Sequence, residues 1–245
     1  MIKKIEGIVL SETSYRETSK IIRVLTHEGT VSFLARGAKG LKSDLRSGTT
    51  KLTYGIFSAN WKPDGLSTLI AVDVLDSFKN CKKSIEKISY ATFLLDLAYQ
   101  VSKNSNEEDV FTLVLSAIQK IEEGFDPLVL MNIVELKYLR YLGVLPHLDG
   151  CSLCGSKENI VTLSCDKGGY LCKNCVTNEK QVSEKAIKLI RMYYYVDISK
   201  ITKLEVSHSV EEEINTFLDI YYDTYTGLYL KTKSFLKNLN KVPTK

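Results

Sequence analysis

The sequence is poor in the residues and motifs on which most enzymes depend. It has only three histidines, at positions 27, 147 and 208, and each lies in a different segment. It contains no phosphate-binding G-x4-G-K-[ST] motif, no G-x-G-x-x-G, no H-E-x-x-H and no G-x-S-x-G. The acidic runs Glu107–Asp109 and Glu211–Glu213 are typical of the first turns of helices. These absences argue against a catalytic function.

Long hydrophobic runs are missing as well. No window reaches about 18 consecutive apolar residues, so we expect no transmembrane helix. Glu6 and Glu12 interrupt the apolar residues near the first methionine, which is not typical of a signal peptide. We therefore expect a cytoplasmic protein. In that reducing compartment, paired cysteines indicate a metal or catalytic site before structural disulfides.

The net charge of +4 is small, but it is unevenly distributed. Residues 1–80 carry 12 Lys and Arg against 8 Asp and Glu, whereas residues 81–245 carry 21 of each. Within the first region, RGAKGLKSDLRSGTTK (Arg36–Lys51) has five basic residues and one acid. A flexible cationic segment beside strands is typical of a polyanion contact, and equally of a solvated loop.

The first 80 residues show the two-residue period of β-strands. Turn residues separate five short runs that are rich in β-branched side chains: IEGIVLS, SKIIRVLT, GTVSFLARG, LTYGIFSANW and LSTLIAVDVL. The turns at His27–Gly29 and Pro63–Gly65 join two pairs of them. We predict an OB-fold barrel that binds nucleic acid over residues 1–80, and an SH3-like barrel fits the spacing nearly as well.

After Cys81 the apolar period becomes that of α-helices. Ser84 opens a stretch whose apolar residues lie largely on one predicted helical face: Ile85, Ile88, Phe93, Leu94, Leu97 and Val101. Asn106 is the predicted cap of a second helix that ends at Gly124, and Asp126 the cap of a third that has Pro127 in its first turn.

Two more helices are predicted, from about Ser183 to Tyr195 and from about Glu211 to Leu239. The predicted fold class is therefore α+β with two domains. The OB-fold occupies residues 1–80, and an all-α domain occupies residues 81–245 with a four-cysteine zinc-finger insert at 146–178.

Five of the six cysteines lie between residues 151 and 175, and four of them form two C-x2-C pairs. Cys151 pairs with Cys154, Cys172 pairs with Cys175, and 17 residues separate the pairs. This spacing is typical of a four-cysteine zinc site, which we predict to hold one structural Zn²⁺. Cys165 lies between the pairs, where it is either a bystander or a substitute ligand, and His147 is a weaker ligand candidate.

Other uses of the cysteine pairs fit the sequence less well. A thioredoxin-like redox site needs a βαβ pattern, which neither pair has. A zinc deaminase needs H-x-E and P-C-x2-C, but Asp149 and Gly150 precede the first pair. A catalytic zinc keeps an open position, which four cysteines would fill. Cys81 is isolated and is interpreted as a small buried residue.

The order of these features resembles the RecO family of bacterial DNA repair and recombination mediators. EGIVLSETSYRETSKIIRVLTHEGTVSFLARGAKGLKS is similar to the opening of that family, with a strand, a polar turn, a second strand, a glycine turn and an A-R-G-A segment. VELKYLRYLGVLPHLDGCSLCG and GGYLCKNC are similar to the family's segments that carry the two C-x2-C pairs. The resemblance covers nearly the whole chain.

The resemblance implies a protein that is not an enzyme and that associates with the nucleoid. It would bind single- and double-stranded DNA, anneal complementary strands and help to load RecA recombinase onto DNA coated by single-strand-binding protein. The implied partners are RecR and the acidic C-terminal tail of single-strand-binding protein, with RecA as an indirect partner.

The residues themselves suggest where DNA and partners would bind. The candidate phosphate contacts are the basic residues of the first turn and of the connection after the third strand: Arg16, Lys20, Arg36, Lys39, Lys42 and Arg46. Tyr15, Phe33 and Tyr54 could stack on bases, although aromatic residues in strands are more often core. Lys137, Arg140 and Arg191 could bind an acidic peptide, or be ordinary solvated residues.

Two other functions remain open from the sequence. A zinc-ribbon adaptor in transcription or RNA metabolism would use the barrel to bind RNA. A zinc hydrolase ranks third, because no catalytic residues accompany the cysteines.

Overall fold

The computed structural model describes residues 1–63, 65–103 and 109–239. The strands are β1 (Ile2–Tyr15), β2 (Ser19–Thr26), β3 (Gly29–Ala35), β4 (Tyr54–Asn60), β5 (Ser67–Asp76), β6 (Ile160–Ser164) and β7 (Gly169–Cys172). The helices are α1 (Leu45–Gly48), α2 (Lys79–Lys83), α3 (Ile85–Val101), α4 (Asp109–Glu123), α5 (Pro127–Tyr141), α6 (Glu184–Tyr195), α7 (His208–Tyr225) and α8 (Lys231–Leu239).

The first five strands close into a barrel in the order β1-β2-β3-β5-β4. Closure is possible because β1 is long enough to pair with β4 through its first half and with β2 through its second, with a bulge between Val9 and Ser11. β3 and β5 meet in parallel at Phe33 and Ser67. The predicted OB-fold is confirmed.

Alternate residues of the strands fill the barrel interior. Phe33 and Phe57 stack there with their ring centroids 6.0 Å apart. The other members of this core are small or branched side chains: Val9, Ile22, Val24, Ala35, Ala38, Ala59 and Leu69. Closure of the barrel thus rests on close packing of side chains.

Three predicted helix starts are confirmed by their caps. The Ser84 hydroxyl accepts from the Lys87 N–H at 3.3 Å, and the Ser183 hydroxyl accepts from Ala186 N–H at 3.1 Å. The Asp126 carboxylate accepts from the Leu128 N–H at 2.8 Å and from the following N–H. Each bond satisfies a donor that a helix leaves unpaired at its first turn. The predicted cap at Asn106 lies outside the described residues.

Other helix predictions need correction. Residues 211–239 form two helices, α7 and α8, because the chain turns at Gly227, which has a φ of 61°. The single apolar face predicted for α3 is also wrong. Ile85 is 68% exposed, whereas α3 buries residues around most of its circumference. Helix α2, which the period did not reveal, follows Phe78 in the left-handed region.

The chain packs as two compact units. The first comprises Met1–Glu123 together with α8, and the second is Gly124–Tyr229. The predicted domain boundaries follow the change from strands to helices instead, and they stay a prediction. No helix in the described ranges is both long and apolar enough to cross a membrane.

Candidate metal centre and nucleic-acid interface

The four paired cysteines converge on one point. The sulfurs of Cys151, Cys154, Cys172 and Cys175 all lie within 4.8 Å of one another. The Cys154 and Cys172 sulfurs are 3.7 Å apart. Four thiolates around a zinc ion at about 2.3 Å would be separated by about 3.8 Å. The group is therefore of the right size and chemistry to hold a metal ion.

The first cysteine pair sits in a tight turn. The Gly155 N–H donates to the Cys151 carbonyl at 2.8 Å, and the Cys151 N–H donates to the Ser156 carbonyl at 2.7 Å. Gly155 has a φ of 75°, which glycine adopts without strain. A side chain at Gly150 would stand 2.8 Å from the Gly155 carbonyl oxygen. The two glycines thus allow the turn that presents both sulfurs on one side.

The second pair begins at the last residue of β7. The Cys175 N–H donates to the Cys172 carbonyl at 3.0 Å, which forms a second turn. The Ser152 N–H donates to the Tyr170 carbonyl at 2.8 Å and so fastens the first turn to β7. The hairpin of β6 and β7 therefore sets the distance between the two pairs.

Backbone amides donate to the Cys151 sulfur. Burial raises the pKa of Cys151, but backbone N–H groups of Cys172, Cys154 and Leu153 lower it more, so that the pKa is about 6. The thiols of Cys154 and Cys172 raise the pKa of Cys175 to about 12. Metals bind the thiolate form, and donors aimed at sulfur favour that form. The backbone donors therefore favour the thiolate of Cys151, whereas the neighbouring thiols disfavour that of Cys175.

The remaining cysteines and His147 lie outside this group. The Cys165 thiol donates to the Phe217 carbonyl at 3.6 Å, and burial raises its pKa to about 11. His147 contacts the cysteine hairpin through its backbone, because its N–H and carbonyl form hydrogen bonds with the chain around Gly169. Cys81 is fully buried, as predicted.

The cysteine hairpin is attached to α6 by polar contacts. The Tyr170 hydroxyl donates to the Ile187 carbonyl. Asp149 accepts from the Tyr195 hydroxyl at 2.8 Å and lies 3.6 Å from the Arg191 guanidinium. The roles of Tyr170 and Asp149 could not be predicted, since no local sequence pattern connects them to α6. They fix the metal group to a helix.

The three residues predicted to bind a partner have different surroundings. Lys137 is half-buried and donates to the Tyr194 carbonyl at 2.7 Å, where burial lowers its pKa. Arg191 is exposed and lies beside Asp149, and Arg140 is exposed at the end of α5. The Lys137 ammonium is therefore bonded to the end of α6, and an incoming carboxylate would reach Arg140 more readily than Lys137.

The basic segment, residues 36–51, is attached to the barrel by backbone hydrogen bonds and buried residues. The Lys39 N–H donates to the Thr18 carbonyl at 2.9 Å, and the Lys39 ammonium donates to the Arg16 carbonyl at 3.4 Å. Ala38 and Gly48 are buried, and a side chain at Gly48 would stand 2.6 Å from Val72. The segment is thereby held against the turn between β1 and β2.

This arrangement places Lys39 against Arg16, and the segment that contains Lys39 carries three more of the predicted DNA contacts. Arg16 lies in the β1–β2 turn and Lys39 contacts that turn, while Arg36 follows β3 directly. Lys42 and Arg46 follow in successive turns of the segment, and all five side chains are exposed. A surface of this kind can neutralise several phosphates of one strand.

Lys20 differs from the other five. Its ammonium forms an ion pair with the Glu12 carboxylate, and its side chain is only 15% exposed. The same carboxylate accepts from the Lys51 N–H at 3.3 Å. Glu12 was not singled out by the sequence, because a polar residue on the outer side of a strand is ordinary. It reduces the charge that Lys20 can offer to DNA.

The three aromatic residues considered for stacking on bases also have different surroundings. Phe33 is fully buried in the barrel core, which is the alternative that the sequence favoured for aromatic residues in strands. Tyr54 donates to Glu6, and burial raises its pKa to about 12. Tyr15 is 37% exposed, with the Arg16 guanidinium 5.3 Å from its ring centroid. Tyr15 is therefore the aromatic residue beside the basic surface.

A closed five-strand barrel, a helical region and a four-thiol group define the class of protein, and comparison with known families agrees with it. Residues 1–78 match the family described as Recombination protein O N terminal, and residues 82–234 match Recombination protein O C terminal.

Similar proteins extend over the same length. The DNA repair protein RecO of Listeria innocua serovar 6a is 33% identical over 245 residues, which cover 98% of this chain and 96% of that protein. The DNA repair protein RecO of Bacillus pumilus is 34% identical over 250 residues, covering 99% and 96%. The chain belongs to the RecO family of DNA repair proteins.

Proposed function

We propose that the protein is a non-enzymatic mediator of DNA repair and homologous recombination. It binds single- and double-stranded DNA, anneals complementary strands, and with RecR helps to load RecA recombinase onto DNA coated by single-strand-binding protein. The observation that carries the proposal is the exposed basic surface formed by Arg16 and the basic segment on an OB-fold, in a chain of the RecO family. Its place of action would be the nucleoid in the cytoplasm.

The chemistry of annealing suits this surface. Two complementary strands repel each other, and exposed arginine and lysine side chains lower that repulsion by replacing the counterions. Binding through phosphates leaves base edges free to pair, because such contacts carry no sequence information. The Tyr15 ring offers a stacking partner beside the cations.

The proposed role of the four cysteines is structural. One Zn²⁺ would be held by Cys151, Cys154, Cys172 and Cys175, and it would supply only cross-linking of the two turns. Four thiolate ligands leave no position for substrate, which counts against a zinc hydrolase.

Partner recognition is proposed on the second unit. Arg140 is exposed next to the half-buried Tyr141 at the end of α5, so a peptide with carboxylates and a terminal phenylalanine would find a charge and part of an aromatic ring there. Titration of the acidic tail of single-strand-binding protein should give binding that weakens in Arg140→Ala. Equal binding by the variant would remove Arg140 from the site.

The decisive experiment is strand annealing with and without single-strand-binding protein. We expect the protein to anneal naked complementary strands, and to anneal or load RecA onto coated strands when RecR is present. An adaptor for RNA, which family membership does not favour, would instead bind RNA with no annealing of DNA. A protein that neither anneals DNA nor promotes RecA loading would contradict the proposal.

A further inference from the structure

Leu41 is the most exposed large apolar side chain of the barrel unit after the terminal Met1. It is 88% exposed, and among the described residues only the terminal Met1 exceeds it. A single exposed leucine is common on protein surfaces and has no meaning by itself. The position of Leu41 within the basic segment gives it significance.

The chain on both sides of Leu41 is fastened to the barrel. Ala38 is fully buried and Leu45 packs against the barrel core. Between them the Gly40 N–H donates to the Gly37 carbonyl at 3.0 Å, and the Ser43 N–H donates to the Gly40 carbonyl at 3.2 Å. Two successive turns thus hold Leu41 outward from a fixed base.

Cations flank the leucine closely. Lys39 and Lys42 lie two residues before and one residue after it, and both are exposed. Any strand whose phosphates reach these two ammonium groups brings its sugars and bases beside the Leu41 side chain. Leucine is one of the apolar residues that proteins insert between neighbouring bases.

We propose that Leu41 is a wedge that inserts between bases of DNA bound on the basic surface, and this inference rests on the proposed function. Insertion into an intact duplex must break stacking and distort pairing, whereas a single strand or a duplex end offers bases that separate more easily. Leu41 therefore acts on single strands and on junctions between single- and double-stranded DNA.

The test uses the full-length protein and a partly single-stranded duplex with 2-aminopurine beside the junction. Wild-type protein should raise 2-aminopurine emission, because the base loses its stacking partner. Leu41→Ala should lose this rise and bind the single strand about fivefold more weakly. Leu41→Phe should restore both, and its apolar ring is the positive control.

Ile2→Ala is the matched negative control. Ile2 is 64% exposed at the start of β1, while the β1–β2 turn that contacts the basic segment lies at the end of that strand. The 2-aminopurine emission and the DNA affinity measured with Ile2→Ala should equal those of the wild type. The dependence of affinity on salt should be the same for all four proteins, because the phosphate contacts are unchanged.

Several results would overturn the wedge. One is a Leu41→Ala variant that keeps the wild-type 2-aminopurine emission and DNA affinity. Another is a weaker dependence of DNA affinity on salt in this variant, since the leucine would then only position the cations. Binding to anionic phospholipid vesicles that depends on Leu41, with DNA binding unaffected, would assign the residue to a membrane. If the wild type bound no DNA at low salt, the proposed function would fail with it.

Discussion

The basic segment and the cysteine hairpin are both short, glycine-containing stretches outside the main helices, but they are stabilised in different ways. The basic segment buries Ala38 and Gly48 against a complete barrel and turns its charges outward. The cysteine hairpin turns its ionisable groups inward, onto one another. An outward cluster of charge is available to a ligand, whereas an inward cluster of thiols is placed to hold an ion.

The barrel that carries the basic segment and the cysteine hairpin differ in the size of their apolar cores. Nine buried residues form the apolar cluster inside the barrel. The cluster at the cysteine hairpin consists of Cys151, Leu171 and Cys172, and Leu148 and Tyr170 are also buried there. So few buried side chains do not offset the conformational entropy of an ordered segment. The barrel should fold by burial, and the hairpin by coordination.

Breaking the thiol group should have the largest effect. Cys172→Ser removes one ligand, and binding of structural zinc is worth roughly 10–16 kcal/mol in small zinc domains. We expect the variant to lose its metal and the β6–β7 amides to exchange rapidly with solvent. Metal content and hydrogen exchange measure the two effects, and single-strand affinity should stay near the wild-type value.

Cys165→Ser is the matched control for that experiment. Cys165 lies on the same hairpin, but its sulfur faces the Phe217 carbonyl instead of the other thiols. This variant should keep its metal and its slow exchange. Equal loss of metal from both variants would show that the four-thiol assignment is wrong.

Removal of the outward charges should act on DNA alone. Replacement of Arg36, Lys39, Lys42 and Arg46 by Ala removes four phosphate contacts. We expect single-strand affinity to fall about 100-fold at low salt, and the slope of log K against log salt to lose about 3. Fluorescence titration across salt concentrations measures both. Unchanged affinity would refute the assignment of this surface.

The control for charge is taken from the other region. Replacing Lys157, Lys173, Lys180 and Lys185 by Ala removes the same charge from exposed positions around the cysteine hairpin and the start of α6. This variant should retain the wild-type slope. If it lost as much affinity as the first variant, net charge and not the basic segment would govern binding.

The sequence revealed those parts of both regions that depend on local patterns. The strand period of β2 and the two C-x2-C pairs sufficed to predict the barrel and the thiol group. The ordered backbone of the basic segment was not predictable, because it depends on contacts between Lys39 and Thr18 and between Gly48 and Val72. Such contacts join residues far apart in the chain, and no local period encodes them.

The same reason explains why the surroundings of individual side chains could not be predicted from the sequence. Lys20 and Arg36 have the same charge in the sequence, but only Lys20 meets a carboxylate from a neighbouring strand. Phe33 and Tyr15 are both aromatic residues near strand ends, yet one faces the barrel core and the other is partly exposed. The charge and the aromatic character of a residue can be read from the sequence, whereas its ion pairs and its burial depend on the fold.

A carboxylate helps to hold the chain beyond the barrel without any metal. Glu122 accepts from the Asn80 N–H at 2.8 Å and from the Cys81 N–H at 2.7 Å. Burial acts to raise the pKa of Glu122, but these N–H donors outweigh it and lower the pKa below 4.5. The carboxylate therefore stabilises the fold fully above pH 4.5, and this contribution is lost as the pH falls through the lowered pKa.

We expect Glu122→Gln to lower the free energy of unfolding by about 1 kcal/mol at neutral pH, as for loss of a helix cap. The difference from wild type should shrink in acid. Urea unfolding followed by the fluorescence of the single tryptophan, Trp61, measures it. Glu123→Gln, at the neighbouring exposed carboxylate, should have little effect. A difference that persisted in acid would exclude the charge as its cause, and metal chelation should leave it unchanged.

Changes to the ion pair of Lys20 and Glu12 should have the smallest effect on DNA affinity. They test how much a single charge of the barrel contributes to binding. Because Glu12 already neutralises Lys20, Lys20→Ala should reduce single-strand affinity less than Arg36→Ala does. Glu12→Gln should raise affinity by about two- to fivefold at low salt, since it frees one cation while its amide oxygen can still accept from the Lys51 N–H. Titration of one labelled strand with the three variants compares them directly. Equal losses from Lys20→Ala and Arg36→Ala would mean that DNA displaces Glu12, so that pairing in the free protein does not limit the contact.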